Sequence, residues 1–236
     1  MAYPGDFAVV FQPIFDLVSR TAIAYEALSR FPSGASPLSL FADPGRLGGD
    51  VDLEVTAVEK AVDAARALAA LVPITVNVSP LSLEAPHLKE VIATADRPVG
   101  IEITEYHRVT NYPRLRALIK DLSPWKVFVD GGGAGYSTLD HIRFLEPNVI
   151  KLSTSLTAHL NSTGYDMSLI ESFISMAKDS GGSVLASALE SESQATRALD
   201  LGIALGQGFL FGKPQPASGF SPSPGGLQLR QVSSER

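Results

Sequence analysis

Eight short apolar runs of β character, separated by longer stretches with helical spacing, constrain this 236-residue chain more than anything else in it. The runs fall at residues 7–11, 21–25, 74–78, 99–103, 126–129, 149–152, 183–186 and 204–209. A strand, helix and further strand pair in parallel, because the helix carries the chain back to the edge it left. Eight such strands suffice to close a barrel, so the predicted fold is α/β and barrel-shaped.

The clearest helix is predicted over residues 51–71. Val51, Val55, Val58, Val62, Ala65, Leu68 and Ala69 form its apolar face, and Asp52, Glu59, Lys60, Asp63 and Arg66 the opposite one. Asp50, in the tripeptide GGD, is placed as its cap. Further helices are predicted over 113–122, 138–145, 166–179 and 191–201. No interior Pro/Ser-rich stretch marks a boundary, so residues 1–216 are expected to form one domain. Residues 217–236 have few apolar anchors and many helix breakers, and are expected to be a disordered tail.

With 25 acidic against 19 basic residues and no run of lysine or arginine, the net charge of −6 argues against nucleic acid or an anionic membrane as partner. The absence of cysteine excludes disulfides, thiolate metal sites and a cysteine nucleophile, leaving oxygen or histidine for any metal. His87, His107, His141 and His159 lack metal-ligand spacing and are expected at the surface. No apolar stretch reaches the 18 or so residues that span a bilayer, and the chain reads as cytoplasmic. Trp125 is expected to pack under the barrel, and Phe209 and Phe211 to serve as core or pocket wall.

In a parallel barrel the carboxyl ends of the strands converge on one rim. Polar residues stand at those ends: Glu26, Asn77, Glu102, Asp130 and Lys151. Three carboxylates and an amide on one rim suit a hard divalent cation such as magnesium, manganese or calcium. The glycine-rich stretch from Asp130 to Gly135 lacks the GK[ST] ending of a P-loop, so it is not read as a nucleoside-triphosphate site.

FQPIFDL, then YEALSR at 25–30, VNVSP at 76–80, IEITE at 101–105, DGGGAGYSTL at 130–139, IKL at 150–152 and QGFLFGKP at 207–214 occur in the order found in the EAL domain family. The chain resembles that family over residues 7–216. The resemblance implies a modified (β/α)8 barrel whose first strand is antiparallel to the rest. It also implies a site that hydrolyses cyclic di-GMP to linear pGpG with two divalent cations. It assigns Glu26, Asn77, Glu102 and Asp130 to the first metal and Lys151 to positioning the attacking water. Arg30 matches a phosphate contact, Glu105 a glutamate supporting the loop beside the site, and Glu190 and Gln207 residues of the ligand pocket.

Three positions depart from the family pattern. Gly131, Ser153 and Ser187 stand where active members carry acids, and the losses fall together on the second metal and the activation of water. The expectation is a degenerate, non-catalytic EAL domain that is a cyclic di-GMP receptor or a protein-interaction module, retaining one divalent cation. The alternative is a weakly active phosphodiesterase. A protein partner is expected, and a homodimer is a family expectation that the glycine-rich loop weakens.

Overall fold

A computed structural model describes residues 7–32, 51–68, 72–104, 109, 111–122, 124–132, 139–161 and 163–220. Its strands are β1 (Ala8–Asp16), β2 (Thr21–Arg30), β3 (Ile74–Val78), β4 (Val99–Ile103), β5 (Val127–Gly132), β6 (Val149–Leu152), β7 (Ser183–Ala186) and β8 (Leu205–Gly206). They close into a barrel in sequence order. The described helices are α1 (Val51–Ala65), α2 (Pro86–Ala93), α3 (Tyr112–Leu122), α4 (Leu139–Leu145), α5 (Thr154–Ala158), α6 (Tyr165–Asp179) and α7 (Glu192–Asp200).

β1 is antiparallel to both neighbours, β2 and β8, while β2 to β8 pair in parallel. The connection explains the exception. Only the turn at residues 17–20 separates β1 from β2, far too short for the crossover that parallel pairing requires. Asp16 Oδ1 accepts the Ser19 N–H at 2.7 Å inside that turn. Arg20, at φ 56°, forks onto the Glu192 carboxylate at 2.6 and 3.0 Å.

β1 runs five residues beyond the predicted end, straight through Pro13. Phe11 exchanges backbone hydrogen bonds with Gln215 at 2.8 and 3.0 Å, so its N–H faces the β8 side. The nitrogen of Pro13, two residues on, faces the same side, and β8 pairs only with Phe15 and Asp16. The missing donor therefore falls where no ladder needs it.

α1 is shorter than predicted and rotated in phase. Leu53, Glu54, Val58, Ala61, Val62 and Ala65 are buried, whereas Val51 and Val55 are half-buried. Asp50 lies outside the described residues. α2 and α5 were not predicted, being too short for a periodic apolar face; α2 carries proline at its start and α5 is capped by the Ser153 hydroxyl.

His141 is buried rather than at the surface, contrary to expectation. It is 2% exposed on α4, with Tyr112 Oη 3.3 Å from its Nδ1 and the two rings edge to face at 5.6 Å. Burial lowers its pKa and favours the neutral ring. His87 and His159 are exposed as expected, beside Glu90 and Asp166, and His107 lies outside the described residues.

The boundary at 216 also shifts. Ala217–Gly219 forms a 3₁₀ turn, Ala217 and Phe220 are buried, and Phe220 packs edge-on to Tyr25 at 4.6 Å. One aromatic in an otherwise weakly apolar segment suffices to anchor these residues to the barrel. Residues 221–236 lie outside the described part. No helix among the described residues is long and apolar enough to cross a membrane.

Glu54 is the one acid buried on α1, held by donors from Ser79 and Ser82. Burial pushes its carboxyl up, against those hydrogen bonds. A raised carboxyl binds more protons folded than unfolded, so its contribution is full below the ordinary glutamate range and is lost as pH rises through the folded value. Glu54→Gln is expected to flatten this decline. Denaturant unfolding of both proteins at pH 5 and pH 8 measures it, and equal pH dependence in the two would clear Glu54 as the source.

Candidate functional site

Alternation along the strands builds the site. Ile14, Ala24, Phe128, Val149, Leu185 and Leu205 form a separate apolar cluster, with Trp125 packed against it as expected. Two residues further along the parallel strands, on the same face, come Glu26, Asp130, Lys151, Ser187 and Gln207. On the antiparallel β1 the order is reversed, and Gln12 precedes Ile14. β3 and β4 supply Asn77 and Glu102, directly opposed in register. Each strand thus contributes one polar side chain to a layer resting on the apolar plug.

Lys151 is the hub of this layer. Its Nζ lies 2.9 Å from Glu26 Oε2, 2.9 Å from Glu102 Oε2 and 3.9 Å from Asp130 Oδ1, and the residue is 5% exposed. Glu26 also accepts from Gln207 Nε2 at 2.7 Å and from Asn77 Nδ2 at 3.2 Å. The other oxygen of Glu102 accepts from Thr75 Oγ1 at 2.7 Å. Thr75 and Gln12 were not singled out from the sequence; both occupy inward positions that strand alternation identifies.

Charge is divided unevenly. Burial would raise Glu26, but the Lys151 ammonium and the hydrogen bonds from Gln207 and Asn77 outweigh it and hold the carboxyl below its ordinary value. Burial and then repulsion from Glu26, with a further push from Asp130, lift Glu102 to about 8 despite Lys151. Burial opposes the charge on Lys151, yet Glu102, Glu26 and Asp130 raise its pKa well above the usual lysine value.

Above the layer opens a cleft of about 370 Å³. Glu26, Asp130, Lys151, Glu190 and Gln207 line it, as do Ser153, Ser187 and Gly131. Asn77 and Glu102 reach it only through Glu26 and Lys151. Arg30 is exposed and donates to the Ser29 carbonyl at 3.0 Å, away from the lining. Glu105 lies outside the described residues. Phe211 is buried and stacked on Phe15 at 4.8 Å, whereas Phe209 is a 55% exposed wall of the cleft with Lys213 Nζ 5.2 Å from its ring.

The three departures from the acidic pattern have structural partners. Gly131 adopts φ 65° at an irregularity in the β5–β6 pairing, and its N–H donates to Asp130 Oδ1 at 2.8 Å. Ser153 Oγ caps α5. Ser187 Oγ donates to the Leu152 carbonyl at 2.7 Å. The next residue, Ala188, sits at φ 52° in the cleft wall.

In chemistry, the oxygens of Glu26, Asn77, Glu102 and Asp130 fit one hard cation. In arrangement, no three acidic or histidine side chains among the described residues form a preformed cage, since Lys151 stands between the glutamates. A cation would have to draw those oxygens from the ammonium. No second donor set exists at positions 131, 153 and 187, which lack carboxylates.

A family model for the EAL domain matches residues 4–214. The protein named probable cyclic di-GMP phosphodiesterase PdeI, from Escherichia coli K12, is 26% identical over 238 residues, covering 93% of this chain and 30% of that protein. The cyclic di-GMP phosphodiesterase RocR of Pseudomonas aeruginosa is 32% identical over 92 residues, 39% of this chain and 24% of RocR. This chain thus spans about a third or less of such relatives. Among solved structures, Klebsiella pneumoniae BlrP1 with calcium and cyclic di-GMP superposes with a TM-score of 0.78 at 27% identity, covering 92% of this chain and 59% of that one. A standalone EAL protein of Vibrio cholerae, bound to cyclic di-GMP, gives 0.78 at 23% identity over 90% of this chain and 94% of its own, a likeness of fold. With its closed barrel, its reversed first strand and a family match over most of its length, this chain belongs to the EAL domain family.

Proposed function

We propose that this domain binds cyclic di-GMP in the cleft at the barrel mouth and does not cleave it. The observation that supports this reading is the division of the site: the four side chains suited to one cation are all present and gathered on Lys151 at the cleft, whereas Gly131, Ser153 and Ser187 offer no carboxylate for a second. Gln207 and Glu190, at the cleft wall, would contact the ligand, with Arg30 reaching a phosphate by swinging from Ser29. Glu105 would support the loop beside the site. A divalent cation held by Glu26, Asn77, Glu102 and Asp130 would neutralise their charge and attract the phosphodiester oxygens. Lys151 would keep the acids together and supply positive charge. As a receptor the domain would report occupancy to a protein partner or a second copy of itself.

Without a cation the retained acids oppose the ligand. Two like charges at about 5 Å and an effective dielectric near 20 repel by roughly 3 kcal/mol. Binding is therefore expected to weaken strongly in excess chelator at neutral pH; full-strength binding there would show that Lys151 alone compensates the acids.

The second reading, a phosphodiesterase of low turnover, is favoured by the gathering of Lys151 with Glu26, Glu102 and Asp130. The triple variant Gly131→Asp, Ser153→Asp, Ser187→Glu separates the two. Aspartate at the left-handed position 131 costs about 1 kcal/mol, which the fold should tolerate. We expect pGpG formation from the variant and none from the parent. A folded, ligand-binding variant that stays inactive would place the defect elsewhere.

A further inference from the structure

We propose that Glu54, on the outer helix α1, is a positioning residue for Asn77. The inference rests on the reading that Asn77 serves the cleft through Glu26. Glu54 Oε1 accepts the Ser79 N–H at 2.8 Å, and Oε2 accepts the Ser79 hydroxyl at 2.6 Å and the Ser82 hydroxyl as well. The Ser82 N–H in turn donates to Ser79 Oγ at 3.2 Å. Glu54, Ser79 and Ser82 are all buried, at 5%, 4% and 0% exposure.

A buried carboxylate met by backbone and hydroxyl donors is a costly way to pack a helix, since an apolar side chain would cover the barrel without desolvating a charge. What the carboxylate provides is direction. It fixes Ser79 through both its main chain and its side chain, just past the end of the five-residue β3. On the other side, the Thr104 N–H donates to the Val78 carbonyl at 3.3 Å. Asn77 is the next residue back, and its Nδ2 meets Glu26 Oε1 at 3.2 Å, near the limit of a useful hydrogen bond. A shift of about 1 Å at the strand end would break that contact, so the latch on Ser79 sets whether Glu26 keeps its third donor.

The test reads Asn77 directly. Its side-chain amide pair is assigned in a ¹⁵N–¹H spectrum as the pair lost in Asn77→Ala. In Glu54→Ala the pair is expected to move toward free-amide positions or broaden, while Glu54→Gln, which can still accept the Ser79 N–H, keeps it near its native place. Affinity for cyclic di-GMP is expected to fall about tenfold in Glu54→Ala, and to fall no further when that change is added to Asn77→Ala. An unmoved amide pair in folded Glu54→Ala, or an undiminished affinity loss in the Asn77→Ala background, overturns the proposal. If Glu54→Ala does not fold, Ser79→Ala, which removes only the hydroxyl link, must shift the same pair in the same direction. Should the parent bind no cyclic di-GMP, the receptor reading fails, and the amide spectrum still decides whether Glu54 positions Asn77.

Discussion

Replacing Lys151 with methionine is expected to destabilise the domain by about 3–5 kcal/mol, the usual cost of removing one partner from a buried ion pair. Methionine fills much the same space, so the loss is electrostatic. Glu26 and Glu102 each lose a 2.9 Å contact, and Asp130 loses an ammonium 3.9 Å away. Buried beside one another, Glu26 and Glu102 can only take up protons, and their pKa values rise. Raised carboxyl pKa values give stability that is present at low pH and lost as pH increases. The deficit is therefore expected to be larger at pH 8 than at pH 5. For a chain of this size it corresponds to a melting point lower by about 6–20 °C. Thermal unfolding at both pH values measures it. A variant as stable as its parent at pH 8 would show that the acids do not depend on the ammonium.

Gly208→Ala is expected to be comparably damaging for a steric reason. A Cβ at 208 would lie 2.1 Å from the Leu189 carbonyl oxygen and 2.2 Å from its nitrogen, both backbone atoms. Leu189 is tied in place by its N–H to Gln207 at 2.9 Å and by the Leu210 N–H to its carbonyl at 3.0 Å. To admit a methyl group, the segment after β7 must part from the segment after β8, losing both bonds. Overpacking and two lost hydrogen bonds together come to about 4 kcal/mol. The same movement withdraws Gln207 from Glu26, so ligand binding should fall with stability. Gly206→Ala is the control: its Cβ meets the tips of Leu17 and Leu189, at 2.5 and 2.8 Å, which can turn aside. If Gly208→Ala were no worse than Gly206→Ala, backbone contact at Leu189 would not be what requires glycine.

The barrel and five side chains of its polar layer were legible because period-two alternation places a polar residue immediately after an apolar strand residue. Glu26, Asn77, Glu102, Asp130 and Lys151 stand out in this way. Gln12 did not, because in an antiparallel strand the rim residue precedes its apolar neighbour, and the direction of β1 is set by the short turn at 17–20. Thr75 was hidden inside a strand whose other residues are mostly aliphatic. Glu54 was not singled out, for a different reason: helix amphipathicity gives no signal for a buried charge, and only the tertiary partners Ser79 and Ser82 make its burial tolerable. His141 failed on the same ground, buried by Tyr112, to which no local pattern points. The roles of Gly131, Ser153 and Ser187 became visible only as departures from a family pattern. The structure adds that each has a local partner of its own.

The most direct measurement is titration of the purified protein with cyclic di-GMP, with magnesium or calcium and in excess chelator, followed by long incubation with manganese and assay for pGpG. Saturable, cation-dependent binding with no product is the predicted result. Appreciable turnover that Glu26→Ala abolishes would contradict it and make this chain an enzyme.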